Sequence, residues 1–448
     1  MKIVVCVKIV NGEPNPFDAS ALECALRLGG EITLLSMCPK SAEMPLKRLT
    51  RLNVKAVLLS DSAFAGSDTL ATAYILSHAI RKIKPDLILC GRQTIDGDTA
   101  QVGPSLATML QIPVITNAME ITKTDEIIHC VTRMGNEESI LPCLITVERI
   151  CELRFPSIRA KTGEVEIWNN DILKADTQKC GIKGSPTRVL KTFENTRGKR
   201  HCRFITMDEL RPLVEKLENE QRKEIVYKES DVKLKELWTI GVLEVAGTIA
   251  ENVVVIEETD PVIIAKMAKE KKPEVILWNA DLWGRKNAPI TASLLETGLC
   301  ADCTALETDG NRLYMYRPAK SGSITAKIEC RTNPQMATVR TVSDSSDIIV
   351  SGGKGVKDCY DKFKEFAESY NAEIGASRGL VDMGIAPYNQ QIGLTGKAVS
   401  PKIYIAVGIS GAVHHTCAIE NAGTVIAINP DKNAPIFDYA DYGIIDKL

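Results

Sequence analysis

Three short segments of this 448-residue chain recur in the same order and at similar separation. Lys84-Pro-Asp-Leu-Ile-Leu-Cys90 returns as Lys272-Pro-Glu-Val-Ile-Leu-Trp278, and Pro104-Ser-Leu-Ala-Thr-Met-Leu110 as Pro289-Ile-Thr-Ala-Ser-Leu-Leu295. Pro142-Cys-Leu-Ile-Thr-Val147 returns as Pro334-Gln-Met-Ala-Thr-Val339. A period this long is too great for a solenoid and implies a duplicated domain. Ahead of the first copy, β-rich runs at 2–8, 31–37, 56–60 and 86–90 alternate with helical spacing of apolar residues at 21–28 and 69–82. Alternating strands and helices close into a mostly parallel sheet, so two homologous Rossmann-like α/β domains are expected.

Between the copies stands the capping box Thr206-Met-Asp-Glu209, followed by Leu210, Leu213, Val214 and Leu217 at helical spacing. Residues 218–235 are densely charged and read as a tether. A third region opens at Asp347-Ile-Ile-Val350 and Ser351-Gly-Gly-Lys-Gly355, with a helix expected over 357–370 and strands at Ile403 and Val425. That pattern predicts a small doubly wound sheet. The expected division is 1–190, 191–235, 236–345 and 346–448.

Composition narrows the function. Net charge is -2 with no long basic run, which removes the electrostatic footprint of a nucleic-acid binder. No apolar stretch reaches the roughly eighteen residues that span a bilayer, and Met1-Lys-Ile-Val-Val-Cys-Val reads as a core strand, so a cytoplasmic protein is expected. The 14 cysteines are scattered through apolar segments and read as buried thiols. Cys300-Ala-Asp-Cys303 has redox or zinc spacing, but no second pair accompanies it and no metal site is expected.

Candidate site residues gather near the end: Gly375-Ala-Ser-Arg378, Gln391-Ile-Gly-Leu-Thr395-Gly-Lys397, Tyr404-Ile-Ala-Val-Gly408-Ile-Ser410-Gly-Ala-Val-His-His415 and Ala427-Ile-Asn429. A buried strand entering a glycine turn and then a helix can aim backbone amides at a phosphate or flavin, although Gly408 and Gly411 alone fit an ordinary tight turn. The ordered series, with Ala434-Pro-Ile-Phe437 and Ala440-Asp-Tyr-Gly443, resembles the FAD domain of the electron transfer flavoprotein α subunit. The resemblance implies that Arg378, Thr395 and His415 contact the flavin ring. It also implies cofactor contacts from Lys354, Ser377, Gln391, Ile392, Gly393, Leu394, Gly396, Ser410, Gly411, Ala412, Val413, His414, Asn429 and Asp446. A guanidinium and an imidazole near the ring would favour its extra negative charge on one-electron reduction. Tyr404 reads as core. The sequence departs from the family at Lys354 (usually Arg), at Leu394 and His414 (usually Gln) and near Asp446.

The first part resembles the β subunit of the same family through Val5-Cys-Val-Lys8, Asn15-Pro-Phe-Asp18 and Gly91-Arg-Gln-Thr-Ile-Asp-Gly-Asp-Thr-Ala-Gln-Val-Gly103. The resemblance implies a second nucleotide, AMP or a second FAD, near Cys6, Asn15, Asp18, Met37, Gly91, Asp96, Asp98, Thr99, Gln101, Val102 and Gly103. Both parallel-sheet domains are then of the adenine-nucleotide-hydrolase type. The loop precedes a helix expected to open at Pro104, with Thr99 and Gln101 as phosphate donors and the aspartates bonding ribose, backbone or helix end. The equivalent turn of the second copy, Asn279-Ala-Asp-Leu-Trp-Gly284, lacks the Gly-Asp-Thr run and is expected to hold no nucleotide. Glu152-Leu-Arg-Phe-Pro-Ser-Ile-Arg159 resembles a shortened partner-docking loop.

The implied function is a fused electron transfer flavoprotein, β part first. It would link an acyl-CoA-type flavin dehydrogenase, as in fatty acid β-oxidation, to a quinone reductase, ferredoxin or NADH. Alternatives are an NADH-oxidising bifurcating member with two FAD, or a flavin-free nucleotide-binding scaffold.

Overall fold

The structure, a computed structural model, describes residues 1–194, 199–219, 229–320, 324–343 and 346–448. The chain forms two compact units. One comprises Met1–Thr192, Glu229–Lys320 and Ala326–Val339; the other comprises Phe193–Lys228, Ser321–Thr325 and Arg340–Leu448.

The first unit contains both repeats. Its nine-stranded sheet runs Val165–Trp168, Lys55–Leu59, Glu31–Met37, Lys2–Cys6, Leu87–Gly91, Cys143–Val147 and Val114–Thr124 in parallel. The antiparallel strands Ile127–Thr132 and Gly135–Ile140 complete it. The second repeat's five parallel strands are ordered Ala250–Val255, Leu234–Ile240, Val275–Asn279, Gln335–Val339 and Leu299–Cys303. Five strands therefore occupy equivalent places in both sheets. Residues such as Leu34, Leu89, Ile145, Ile276 and Trp278 have no exposed surface, the outcome expected for apolar parallel strands covered on both faces. Each such aliphatic side chain contributes on the order of 1.5–3 kcal/mol from burial.

The duplication extends to a shared irregularity. Register shifts between Ile145 and Val147 in one copy and between Cys300 and Cys303 in the other. At each shift one residue is left-handed, Asn117 at φ 60 and Asp302 at φ 59, and its amide donates to a threonine of the facing strand. The acceptors are Thr146 Oγ1 at 3.0 Å and Thr338 Oγ1 at 2.7 Å. The Cys-x-x-Cys spacing therefore straddles a β-bulge. Both thiols are buried, and burial holds Cys303 well above the usual thiol range.

The second unit is a six-stranded parallel sheet ordered Arg203–Phe204, Tyr442–Ile444, Thr424–Ile428, Ile403–Val407, Ile348–Gly352 and Glu373–Ala376. The capping box forms, with Thr206 N donating to Glu209 Oε2 at 2.8 Å. Its helix, Met207–Glu218, buries Leu210, Val214 and Leu217 in one cluster with Val350, Phe363 and Ile405. The helix expected over 357–370 is shorter, Tyr360–Glu368, because Lys354–Val356 winds as a 3-10 turn and Asn371 turns left-handed at φ 50. Half of the charged tether, 220–228, lies outside the described residues. Among the described residues, no helix is long and apolar enough to cross a membrane.

Candidate functional site

A cavity of about 730 Å³ opens in the first repeat. Leu35, Leu59 and Leu76 give it apolar walls, while Lys8, Ser62, Ser67, Thr72 and Arg92 supply polar groups. Cys6, Asp18, Met37, Gly91, Thr99, Gln101, Val102 and Gly103 also line it. Asn15, Asp96 and Asp98 brace the neighbouring loop instead. Asn15 Nδ2 donates to Gln93 O, Asp96 pairs with Lys8 at 2.6 Å, and Asp98 Oδ1 accepts from Gln93 Nε2 at 3.1 Å.

The expected helix start needs correction. The helix is Val102–Leu110, so Pro104 occupies its third position rather than its first. A proline fits there because the first-turn amides have no partner inside the helix. No side chain caps this helix, so its positive end faces the cavity through Val102 and Gly103. Gln101, read from sequence as a phosphate donor, is committed elsewhere. Its Oε1 accepts from Thr69 Oγ1 at 2.8 Å and its Nε2 donates to Leu299 O at 3.2 Å.

Asp18 joins the strand end to the cavity wall. Its carboxylate accepts from the amides of Lys8 at 2.8 Å and Gly91 at 3.0 Å. A Cβ at Gly91 would lie 2.3 Å from Asp18 Oδ1, so only glycine lets this carboxylate approach. Burial pushes the Asp18 carboxyl up to about 7, against the opposing pull of those amides. Behind Arg92, Glu148 Oε1 lies 3.3 Å from Arg92 Nε and 2.8 Å from Arg133 Nε, all three side chains at most 3% exposed. Both guanidinium groups thus meet this one buried carboxylate.

An uncapped helix end, the Lys8 and Arg92 side chains in the lining and apolar walls fit a ligand with phosphate and an aromatic base. Sequence reading missed Ser62, Ser67 and Thr72. The available signal was Asp68, which caps the helix Thr69–Ile83 through the amides of Leu70 and Ala71.

In the second unit the candidate flavin residues outside 391–396 follow the carboxyl ends of five parallel strands. Strand order reverses between the parallel neighbours Ile348–Gly352 and Ile403–Val407, the place where such sheets form a ligand crevice. Their two glycine turns meet there. Gly353 N donates to Val407 O at 2.8 Å and Gly355 N to Gly408 O at 3.1 Å. A Cβ at Gly353 would sit 2.1 Å from Gly408 O, and Gly408 itself has φ 62, so this contact requires glycine. Lys354 is exposed, with its stem across Gly379. Ser377, its amide on Gly352 O, opens the helix Arg378–Asp382, and Arg378 Nε pairs with Asp382 at 3.1 Å.

The segment 391–396 folds against the short helix Val413–Thr416. Gln391 Nε2 donates to Thr395 Oγ1 at 2.7 Å, and Leu394 N donates to His414 O at 2.5 Å. Ile392 and Leu394 are buried, so an aliphatic side chain at 394 packs well. Gly393 N donates to Lys397 O and Gly396 N to Gly393 O. Ser410 and Ala412 are exposed, Val413 and His414 half-buried, and Ser410 O accepts from Ile436 N beside Gly411. Asn429 Nδ2 braces the turn by donating to Ile409 O at 2.9 Å. Asp446 is exposed and accepts only from Lys447 N among its described hydrogen bonds.

His415 is 6% exposed, and its Nε2 lies 2.7 Å from the Tyr404 hydroxyl. Burial pushes its imidazole down to about 4, with a smaller opposing influence from the Ile392 backbone, so the ring is neutral at pH 7. Its Nδ1 is buried and makes no hydrogen bond of acceptable geometry. With Tyr404 donating to Nε2, Nδ1 carries the proton and fits a carbonyl-bearing cofactor. Tyr404 is core, and it also sets the orientation of His415.

Comparison with known proteins gives concordant results. The family model for the Electron transfer flavoprotein domain matches residues 3–173 and 254–354, and that for the Electron transfer flavoprotein FAD-binding domain matches 344–420. The chain is 41% identical over 232 residues to the electron transfer flavoprotein subunit alpha of Thermoanaerobacterium thermosaccharolyticum, covering 41% of this chain and 70% of that one. It is 42% identical over 193 residues to subunit beta of the same organism, covering 40% and 74%. Protein FixA of Azorhizobium caulinodans is 38% identical over 255 residues, covering 47% and 91%. With both subunits represented in a single polypeptide and both domain models matched, the chain belongs to the electron transfer flavoprotein family as a fused member.

Proposed function

We propose that the chain carries electrons through FAD held at the carboxyl ends of the C-terminal sheet, between an acyl-CoA-type flavin dehydrogenase and a second redox partner. A second adenine nucleotide occupies the first-repeat cavity. The observation that carries the flavin reading is the buried His415, oriented by Tyr404, whose Nδ1 has the Ile392 backbone beside it but no hydrogen bond of good geometry. FAD, when bound, supplies the redox chemistry. In this reading Lys354, Ser377 and the 410–413 backbone hold its polar atoms. His415 Nδ1 donates to a ring carbonyl, and Arg378, tethered by Asp382, adds positive charge.

The test is nucleotide content per chain after reconstitution with FAD, measured by chromatography beside the visible spectrum. One FAD with one AMP supports the simple carrier. A protein that stays colourless after FAD addition rejects the flavin reading in favour of a scaffold. Arg378→Ala and His415→Ala should each make the bound flavin harder to reduce, by on the order of 30 mV, about 1.4 kcal/mol for a two-electron couple. Unchanged potentials in both variants would remove these residues from the ring.

The cavity volume favours a second reading. At about 730 Å³ it lies high in the range of small-ligand sites and has room beyond a mononucleotide. Two FAD per chain, with NADH oxidation, would make this a bifurcating member.

A further inference from the structure

The loop carrying Asp98 and Ala100 holds both residues left-handed, at φ 52 and φ 56. A side chain with a Cβ resists that conformation, and two such residues in three positions persist only where surroundings fix them. Within the first repeat Asp98 N donates to Thr94 O at 2.9 Å and Gln93 Nε2 donates to Asp98 Oδ1 at 3.1 Å, while the Lys8–Asp96 pair is over a third exposed on both partners. The second repeat supplies three more. Lys320 N donates to Asp96 O at 3.3 Å, Arg317 Nη2 to Asp98 O at 3.1 Å, and Leu299 O accepts from Gln101 Nε2 at 3.2 Å. Arg317 lies on the strand Leu313–Ala319, is 6% exposed, and its Nε has no hydrogen-bond partner among the described residues.

A buried guanidinium donating to a backbone carbonyl makes a charge-assisted hydrogen bond, stronger than a neutral pair. Here that acceptor belongs to one of the two left-handed residues. We propose that Arg317 is a positioning residue for the first-repeat nucleotide site: it holds the Asp96–Gln101 wall in its binding shape, so the second repeat serves the ligand of the first. The inference rests on the reading of the cavity as an adenine-nucleotide site. It assigns the second repeat a task beyond completing the core.

The experiment titrates the full-length protein, stripped of nucleotide, with AMP by calorimetry, and then with FAD beyond one equivalent per chain. Arg317→Met should weaken nucleotide binding by about tenfold or more, and Arg317→Lys should restore part of the loss. Hydrogen exchange in the stripped Arg317→Met protein should quicken at amides 96–101 while Lys2–Cys6 stays protected. Affinity within about twofold of the parent in both variants overturns the proposal. So does loss of protection throughout both repeats, the mark of a purely structural arginine. If Arg317→Met fails to fold, Arg317→Lys decides alone: weaker binding with unchanged protection in Lys2–Cys6 supports the proposal, and equal affinity overturns it. A parent protein that binds neither probe in the first repeat rejects the cavity reading itself.

Discussion

The two repeats share five strand positions and differ where strand meets helix. In the first, Leu87–Gly91 and Val102–Leu110 are separated by residues 92–101, and the helix has no side-chain cap. In the second, Val275–Asn279 and Leu282–Leu294 are separated only by 280–281, and Asp281 caps the helix through Gly284 N at 2.7 Å. One turn leaves a positive helix end facing a cavity. The other neutralises the equivalent end with its own carboxylate. A common sheet therefore does not decide whether a helix end is left open to a cavity; the length and charge of one turn do.

The pH dependence of the first repeat offers the largest expected effect. Asp18 has its carboxyl raised from 3.8 to about 7, so the folded state binds the extra proton between those values. Its contribution to stability is fully present below about pH 3.8 and lost as pH rises through about 7, at most about 4 kcal/mol. Chemical denaturation at pH 5 and pH 8 should show a smaller difference in Asp18→Asn than in the parent. An equal difference would show that this carboxylate does not distinguish the repeats.

Giving the first turn the cap of the second should come next. Gln101→Asp places a carboxylate at the helix start and should weaken AMP binding by about tenfold or more. Undiminished affinity would break the comparison at its centre. The converse change, Asp281→Ala, should cost about 1 kcal/mol of stability and leave AMP affinity unchanged. Thr146→Val and Thr338→Val test where the copies agree. Each removes the acceptor of a left-handed residue's amide, and each should cost about 1 kcal/mol in denaturation, with similar values in the two copies.

The parallel sheets were legible because apolar runs and helical spacing alternate over long stretches, and the repeat was written directly in the strands. The bulges were not, since Asn117 and Asp302 look like ordinary polar residues until two strands are placed in register. Arg378 had a readable partner in Asp382 four residues on, within helical reach. Tyr404 had none, because its strand is buried on both faces and the partner, His415, arrives by tertiary packing. The brace role of Asn429 and the commitment of Gln101 to Thr69 and Leu299 were hidden for the same reason. Glycine turns advertise a site, whereas the contacts that fix its polar groups depend on segments distant in sequence.

The helix Met207–Glu218 and the strand Arg203–Phe204 precede the second repeat in sequence yet belong to the core and sheet of the C-terminal unit. That unit is thus no cut-and-paste cassette. A fragment beginning at residue 346 would expose the apolar surface that Leu210, Val214 and Leu217 cover, and the strand Tyr442–Ile444 would lose one of its two neighbours and become the sheet's edge. Such a fragment should aggregate on expression unless residues 199–219 are supplied with it.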